Sequence, residues 1–268
     1  ETFPLDVFFC EKCYHVQLLD VVDPSVLFEN YVYVSGTSSV FIKHFEDYVS
    51  SIIDIYRPNR GSLVLDIGSN DGTLLNIFKK HGYRVLGIDP AREIATSACA
   101  SGIETITGFF TSSIARDIYI TYGTFSVVCA NNVFAHIDDL GDVLDGINHL
   151  LDKDGIFVFE VSYLVDVLQQ TLFDTIYHEH LDYHAVRPLI TFMRAHEMEL
   201  IDATRVSSHG GSLRVVAQKA SGKRVVSSSV KKLVKLEKNL NLCKVETYKN
   251  FGKNINVLGM ELYRLLKE

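Results

Sequence analysis

Residues 63–75 form the segment that most constrains how this chain can fold. The apolar run Leu63–Ile67 precedes a turn bounded by Gly68 and Gly72, and an apolar, helix-compatible stretch follows at residues 73–78. This order predicts a strand, a tight loop and the N-terminus of a helix. Glycine lets the backbone turn sharply and approach a ligand closely. The segment therefore predicts an open α/β sheet with a ligand pocket at this turn.

The turn is acidic, which limits the ligand that it can bind. It carries Asp66 and Asp71, and no Lys or Arg occurs from residue 63 to residue 78. The spacing is G-x-x-x-G, so neither the phosphate loop nor the G-x-G-x-x-G dinucleotide pattern is present. An acidic loop suits a cationic or hydroxyl-bearing ligand, and S-adenosylmethionine, with its sulfonium, amino group and ribose, fits best. A ligand-free βα turn is the alternative at this point.

A carboxylate follows at the distance that a ribose contact requires. Residues 85–90 predict a second strand, and Asp89 at its end lies about 20 residues after the glycine loop, where an acid accepts hydrogen bonds from ribose hydroxyls. Asp89 can also cap the next helix. The two roles are compatible.

Composition excludes several classes of protein. The chain has 268 residues and 47% apolar residues, enough for the core of one large domain or one and a half. Its net charge of −7 argues against nucleic acid as the main partner. No apolar run approaches the roughly 20 residues that span a membrane, and residues 1–4 do not resemble the start of a signal peptide. Five cysteines form no even disulfide framework, which favours the cytoplasm.

The C-terminal end is basic, in contrast to the rest of the chain. Residues 219–268 contain 12 Lys and Arg against 4 Asp and Glu. Apolar residues at helical spacing predict one long amphipathic helix here, with Gly252 as its point of breakage. The basic face is either simply solvated or a phosphate-binding surface.

The middle of the chain alternates between strand and helix patterns. A short strand or a loop is predicted at residues 105–110, strands at residues 126–130 and 155–161, and helices at residues 92–100 and 140–151. Such alternation predicts a mostly parallel sheet with helices on both faces and ligands beyond the carboxyl ends of its strands. The two aromatics among the candidate residues would stack on a purine or fill the core. The residues predicted to surround the cofactor are Asp66, Gly68, Asn70, Gly72, Asp89, Phe109, Phe110, Asn131, Asn132 and His136.

Residues 173–184 concentrate titratable side chains. They include three His, three carboxylates and two Tyr. The metal motif H-E-x-x-H fails because Asp182 occupies its last place. A proton-transfer site fits better: a His titrates near pH 6.5, a neighbouring carboxylate can orient it, and a Tyr hydroxyl can hydrogen-bond an oxyanion.

Two further motifs are each compatible with two interpretations. Residues 207–214 join glycines, hydroxyls and a guanidinium, a combination that could hold a phosphate or form a polar hairpin. Cys10 and Cys13 have the spacing of half a zinc site, but a structural zinc needs four ligands and the chain offers no second pair.

Six motifs spread over almost the whole chain resemble those of one family, the sugar C-methyltransferases, which use S-adenosylmethionine to methylate C-3 of nucleotide-linked 4-keto-deoxysugars. The motifs are Cys10-x-x-Cys13-x-x-Val16-Gln17-Leu18, Tyr31-x-Tyr33-x-Ser35-Gly36, residues 66–72, residues 130–133 with His136, residues 173–180 and residues 209–214.

The resemblance implies an α/β fold with a Rossmann-like, class I methyltransferase sheet. It divides the chain into a partial zinc-knuckle module at residues 1–34, a methyltransferase domain at residues 35–185 and the start of a C-terminal substrate lobe at residues 186–268. We expect a chain truncated at both ends, because the family's upstream cysteine pair and the rest of that lobe are missing. His184 also stands where the family has an aromatic residue.

The resemblance also implies roles for individual residues. His180 would be the catalytic base, with Tyr177 and Glu179 beside it; Glu179 would orient the imidazole and Tyr177 would face the enolate oxygen. Structural zinc would bind Cys10 and Cys13 only if an upstream cysteine pair were present. The partner would be a nucleotide-linked keto-deoxysugar, with no nucleic acid or membrane. The candidate substrate-binding residues are Tyr183, His209 and Arg214.

Three other functions compete with this one. An NAD-dependent nucleotide-sugar epimerase or dehydrogenase would use the same sheet and Asp89, although the G-x-x-x-G loop argues against it. A methyltransferase could act on a different small-molecule acceptor. A non-catalytic binding module could have kept the fold, but the intact Tyr177, Glu179 and His180 argue against loss of catalysis.

Overall fold

The computed structural model describes residues 2–267, apart from the side chain of His209. Strands and helices alternate through most of the chain. In chain order the elements are β1 (Val7–Phe9), β2 (Val16–Leu18), α1 (Pro24–Phe28), α2 (Ser39–Tyr56), β3 (Leu63–Ile67), α3 (Thr73–Lys80), β4 (Arg84–Asp89), α4 (Arg92–Ala100), β5 (Thr105–Thr107), α5 (Ser112–Tyr122), β6 (Phe125–Asn131), α6 (Leu140–Leu150), β7 (Leu151–Ser162), α7 (Leu164–Gln170), β8 (Asp182–Tyr183), α8 (Val186–Ala195), β9 (Met198–Val206), β10 (Ser212–Lys219), α9 (Ser228–Asn239) and α10 (Val245–Leu265).

A seven-stranded sheet forms the centre of the molecule, in the order β5-β4-β3-β6-β7-β10-β9. The first five strands in this order are parallel, and β10 and β9 complete the sheet in antiparallel fashion. The chain winds outward from β3 in both directions, so the strand order reverses between β3 and β6. Ligands of open α/β sheets bind at such a switch point, beyond the carboxyl ends of the strands. The predicted mostly parallel α/β fold is confirmed.

Alternating side chains of the central strands divide the core between the two faces of the sheet. Val64 packs with α2 and α3 on one face, whereas Leu63 and Leu65 pack on the other face with α5, α6 and α8. This division follows from the two-residue period of a strand. All five residues of β3 are buried, as expected for a strand covered by helices on both faces.

A second, three-stranded antiparallel sheet connects the N-terminus to the middle of the chain. Its order is β1-β2-β8, with Val16 opposite Tyr183 and Gln17 opposite Asp182. β8 begins two residues after His180. The N-terminal segment therefore shares a sheet with the loop that carries the predicted base.

The C-terminal part differs from the prediction in two respects. Residues 186–219 were expected to begin a separate lobe, but β9 and β10 are hydrogen-bonded into the central sheet through β7. The predicted single long helix is two helices, and it breaks at residues 240–244, where Asn241 has a φ of 56° and Leu242 is buried. Gly252 lies inside α10. In the part of the chain that the structure describes, no helix is long and apolar enough to cross a bilayer.

Candidate active site

A cavity of about 800 Å³ opens at the carboxyl ends of β3, β4 and β6. It is large enough for a cofactor and part of a second ligand. The structure brings most of the predicted cofactor residues and two of the predicted catalytic residues to this cavity. The predicted residues that line it are Asp66, Gly68, Asn70, Asp89, Phe109, Phe110, Asn131, Asn132, His136, Tyr177 and His180.

The two glycines of the loop have different roles. Gly68 lines the cavity with a φ of 67°, and a Cβ there would overlap Val133 Cγ2. Gly72 does not line the cavity. It caps the N-terminus of α3 with a φ of 77°, and a Cβ would meet Ile103. Gly72 is therefore a structural turn position, whereas Gly68 lines the cavity and its missing side chain makes room for Val133.

Asp89 is oriented by backbone groups on both of its oxygens. The backbone N–H of Asn70 donates to Oδ2 and that of Ala91 donates to Oδ1, each at 2.8 Å. Burial raises the pKa of Asp89, and these two hydrogen bonds oppose the rise. Each carboxylate oxygen can accept more than one hydrogen bond. The carboxylate therefore holds the start of α4 and still presents acceptor positions to the cavity.

The side chain of Asn70 is occupied by protein. Its Oδ1 accepts from the backbone N–H of Ser35 at 2.9 Å, and its Nδ2 donates to the carbonyl oxygen of Tyr33 at 2.8 Å. Gly36 N also donates to Asp71 Oδ2 at 2.9 Å. These bonds tie residues 33–36 to the glycine loop. Asn70 lines the cavity, but its amide serves to hold this segment.

The lining of the cavity is strongly acidic. It contains seven aspartates, and no Lys or Arg occurs among the described residues that line it. Asp66 is buried, and both burial and nearby Asp89 raise the pKa of its carboxyl to about 8. A cationic ligand would be favoured in such a site, since opposite charge lowers the cost of ionising a buried acid.

The remaining cofactor candidates also line the cavity. Asn131 lines the cavity, and both of its polar side-chain atoms are buried without a hydrogen-bond partner in the described structure. Phe109 is 36% exposed, whereas Phe110 is 7% exposed and belongs to the core. Of the two aromatics, Phe109 is the better stacking surface.

An aromatic cluster adjoins the cofactor residues. The rings of His136 and His180 stack with centroids 5.1 Å apart, and the ring of Phe28 also stacks with that of His136 at 5.5 Å. Burial and the nearby His180 lower the pKa of His136 to about 3. His136 is therefore neutral at physiological pH.

The hydrogen bonds of His180 indicate which of its nitrogens can accept a proton. Nδ1 lies 2.8 Å from the carbonyl oxygen of Thr175, and Nε2 lies 3.1 Å from the hydroxyl of Tyr177. A carbonyl only accepts, so Nδ1 carries the proton of the neutral ring and Nε2 is the basic nitrogen. Burial, followed by the charge of Glu179, raises the pKa of Tyr177 to about 12. Tyr177 therefore stays protonated and donates.

The geometry gives Glu179 a different place from the one predicted. The acceptor at His180 Nδ1 is the Thr175 carbonyl, so this carbonyl orients the ring in place of the Glu179 carboxylate. Glu179 instead raises the pKa of Tyr31, after the larger effect of burial. Tyr31 lines the cavity but received no role from the sequence. The motif Tyr31-x-Tyr33-x-Ser35-Gly36 was the sequence signal that could have identified Tyr31 as a residue of the site.

Two of the predicted substrate residues, Tyr183 and Arg214, do not line the cavity. Arg214 donates from Nε to Glu160 Oε1 at 2.6 Å, contacts Ser51 and lies over the ring of Tyr48. Its guanidinium thus serves to hold α2 on the sheet. Tyr183 is buried with its hydroxyl unpartnered among the described atoms, and burial raises its pKa. The side chain of His209 lies outside the described residues.

The zinc half-site stays incomplete. Cys10 and Cys13 are both exposed, and a tight turn between them is closed by a hydrogen bond from Tyr14 N to Cys10 O at 2.7 Å. Among the side chains that the structure describes, no group of three or more potential metal ligands comes together. Two thiols do not fit a tetrahedral zinc site by themselves.

Comparison with protein families identifies two regions. Residues 42–201 match the model of a methyltransferase domain, and residues 207–268 match that of a C-methyltransferase C-terminal domain. The chain is 35% identical over 265 residues to the C-methyltransferase NovU of Streptomyces niveus. That alignment covers 99% of this chain and 63% of NovU, so the chain spans about 63% of the length of this curated relative.

Solved structures are similar in fold. The PH0226 protein of Pyrococcus horikoshii OT3 has a TM-score of 0.56 at 16% identity, over 70% of this chain and 94% of its own. The magnesium protoporphyrin IX methyltransferase of Synechocystis PCC 6803, crystallised with bound SAM, has a TM-score of 0.52 at 14% identity, over 74% of this chain and 98% of its own. At these identities the likeness supports the fold alone.

Proposed function

We propose that this chain, which belongs to the methyltransferase-domain family that residues 42–201 match, is a C-methyltransferase that uses S-adenosylmethionine to methylate C-3 of a nucleotide-linked 4-keto-deoxysugar through an enolate. The observation that supports this most is the His180–Tyr177 hydrogen bond, with its basic nitrogen in the same cavity as the cofactor residues. Family membership argues against the NAD-dependent alternative. A methyltransferase for a different small-molecule acceptor is the remaining alternative.

The residues present fit the cofactor. Asp89 would accept hydrogen bonds from the ribose hydroxyls, Phe109 would stack on the purine, and the unpartnered amide of Asn131 would bind near the amino acid portion. Gly68 would present its backbone to the cofactor, since it lines the cavity without a side chain. S-adenosylmethionine supplies an electrophilic methyl group carried on a sulfonium, and the acidic lining suits that charge.

His180 would remove the proton that the reaction requires. The ketone at C-4 acidifies the C-3 hydrogen; Nε2 takes this proton, and the electron pair moves toward the C-4 oxygen to form an enolate. The nucleophilic carbon would then be C-3, which would take the methyl group as the bond from that methyl to sulfur breaks and its electron pair stays on sulfur, leaving S-adenosylhomocysteine. A base held in place contributes typically 10²- to 10⁴-fold to a rate.

Tyr177 would stabilise the enolate oxygen by turning its hydroxyl from His180 Nε2 to the substrate, which leaves the Nε2 lone pair to take the C-3 proton. Because its pKa is raised to about 12, the hydroxyl remains a hydrogen-bond donor across the physiological range. Tyr31 lines the same side of the cavity and is also held protonated by burial. Glu179 would support both hydroxyls by disfavouring their ionisation.

The charge of the cavity bears on how the substrate is held. A diphosphate would meet seven aspartates and no cation among the described lining residues. We therefore propose that the cavity receives the sugar ring while the diphosphate lies outside it. For the domains, we propose an N-terminal module at residues 1–34 and a methyltransferase domain that continues to about residue 219. A cytoplasmic location remains a prediction, in keeping with five free cysteines.

Calorimetric titration tests the cofactor, and methyl transfer tests the substrate. We expect S-adenosylhomocysteine to bind and NAD not to bind. Incubation with labelled S-adenosylmethionine and a panel of nucleoside-diphosphate 4-keto-deoxysugars should transfer the label to C-3 of at least one of them. Binding of NAD alone would overturn the cofactor assignment, and transfer only to acceptors without an adjacent ketone would overturn the enolate mechanism.

A further inference from the structure

The loop that carries His180 is held by a part of the chain remote from it in sequence. Leu18 N donates to Leu181 O at 2.8 Å, and β2 pairs with β8 immediately afterwards. We call β1 and β2 the N-terminal ribbon. In the three-stranded sheet β8 pairs with β2 of this ribbon, so the position of the segment that follows His180 depends on the ribbon.

The opposite side of the same loop is attached beside His136. The backbone N–H groups of Leu181 and Asp182 both donate to the carbonyl oxygen of Ala135, at 2.9 and 3.1 Å. Ala135 directly precedes His136, whose ring stacks on His180. These two backbone hydrogen bonds form a crosslink between the segment before His136 and the segment after His180, and Asp182 is one of its donors.

One side-chain hydrogen bond joins the ribbon to this crosslink. His15 Nε2 donates to Asp182 Oδ1 at 2.5 Å, and the two side chains are only 18% and 10% exposed. A partly buried, charge-assisted hydrogen bond is stronger than an exposed one, since water competes less for it. The ring of His15 also lies 5.7 Å from that of His184, whose Nε2 donates to Phe134 O.

We propose that His15 and Asp182 are a positioning pair for His180. Their hydrogen bond fixes β8 against the N-terminal ribbon, and β8 in turn fixes the His180 ring between Tyr177 and His136. Neither residue lines the cavity, so both act through His180 and not on the substrate. The effect on turnover rests on the proposed function, whereas the effect on the His180 ring does not.

The ring itself gives a readout that needs no substrate. Nitrogen-15 NMR of labelled histidines reports the tautomer of His180 in the free protein. We expect one Nδ1–H tautomer in the wild type, because Thr175 O accepts from Nδ1. In His15→Ala the ring should sample both tautomers. His15→Gln, which can place an amide N–H near the former Nε2, should restore most of the wild-type signal.

A matched His–Asp pair elsewhere provides the control. His196 Nδ1 lies 2.8 Å from Asp145 Oδ1, between α8 and α6 and away from the cavity. His196→Ala should leave the His180 signal unchanged. If His15→Ala fails to fold, Asp182→Asn keeps the shape of the side chain and weakens the same bond. An unaltered His180 signal in both Asp182→Asn and a folded His15→Ala overturns the proposal.

Kinetics separate positioning from a general loss of structure. Methyl transfer to the active nucleoside-diphosphate 4-keto-deoxysugar should fall about tenfold in kcat for His15→Ala, since small displacements of a catalytic group are costly. The KM and the affinity for S-adenosylhomocysteine should stay within about twofold, as expected for an effect confined to the catalytic group. Equal losses in all three quantities would contradict a positioning role. The His180 signal could change in the variants although the wild type methylates none of these sugars. That result would support the positioning role of His15 and Asp182 and would overturn the proposed function.

Discussion

The hydroxyl of Tyr177 donates to Nε2 of His180 across 3.1 Å, and the opposite nitrogen of the same ring is fixed by a backbone carbonyl. The imidazole and the hydroxyl beside it are thereby oriented by the protein alone. Both line the same cavity as the candidate cofactor residues, so the proposed mechanism would place proton removal and methyl transfer in one cavity.

Asp89 is expected to contribute directly to cofactor affinity. A charge-assisted hydrogen bond is worth roughly 1.5–3 kcal/mol, so Asp89→Ala should weaken S-adenosylmethionine about 10- to 100-fold. Calorimetry measures the change. Asp47→Ala, at an exposed carboxylate bonded to Lys43, is a matched control and should bind as the wild type does. Unchanged affinity in Asp89→Ala would remove Asp89 from the site.

Asp66 should make the folded protein less stable as the pH rises. Its pKa is about 8 in the fold against about 4 when unfolded, so the folded state keeps a proton that the unfolded state releases. This contribution is fully present below pH 4 and is lost as the pH rises toward 8. Asp66→Asn should remove a negative slope of up to about 1.4 kcal/mol per pH unit from the free energy of unfolding.

Urea unfolding of both proteins at several pH values between 5 and 8 measures this slope. Added ligand must be absent, because bound cation would itself lower the pKa of Asp66. Parallel curves for the variant and the wild type would show that Asp66 ionises normally.

Arg214 should matter for stability and not for ligand affinity. Burial opposes ionisation of Glu160, but His44 and Arg214 outweigh it and lower the pKa of that carboxyl. Arg214→Ala would leave the buried carboxylate with one partner fewer, at a cost of roughly 3 kcal/mol or more. Thermal unfolding should show the loss. A folded Arg214→Ala protein with normal stability and a raised KM would restore the substrate role predicted from the sequence.

Zinc content should be low in this chain. Two exposed thiols cannot complete a tetrahedral shell, so elemental analysis should find well under one zinc per chain. Cys10→Ser is expected to abolish whatever metal is retained. One full equivalent of zinc held by four protein ligands would contradict this reading.

Local patterns predicted the parallel half of the sheet well. Leu63–Ile67 and residues 126–130 are short apolar runs between turn signals, and the structure has both as buried strands. The helix predicted at residues 92–100 is confirmed as α4. Each of these elements is specified by neighbours in sequence.

Long-range pairing could not be derived in the same way. The strands β9 and β10 join the sheet through β7, and no local signal shows that partner. The division between α9 and α10 was hidden because apolar residues keep helical spacing through Leu240 and Cys243, and only the left-handed Asn241 marks the break.

The site shows the same contrast. Gly68 and Asp89 were predictable from a motif spacing and both line the cavity. Arg214 was misplaced because its partner, Glu160, is 54 residues away. Glu179 was predicted to orient His180 because a sequence shows only which side chains are available. The acceptor at His180 Nδ1 is a backbone carbonyl, which every residue has and no sequence pattern marks.

The central claim, that His180 removes the proton, is tested most directly by hydrogen exchange. With S-adenosylhomocysteine bound, methyl transfer cannot occur, and deuterium uptake from solvent at C-3 of the keto-sugar reports proton removal alone. We expect His180→Asn to lower the exchange rate by about 10²- to 10⁴-fold while its affinity for S-adenosylhomocysteine stays near that of the wild type. Exchange at the wild-type rate in His180→Asn, together with loss of exchange in Tyr177→Phe, would make Tyr177 the base and contradict this account.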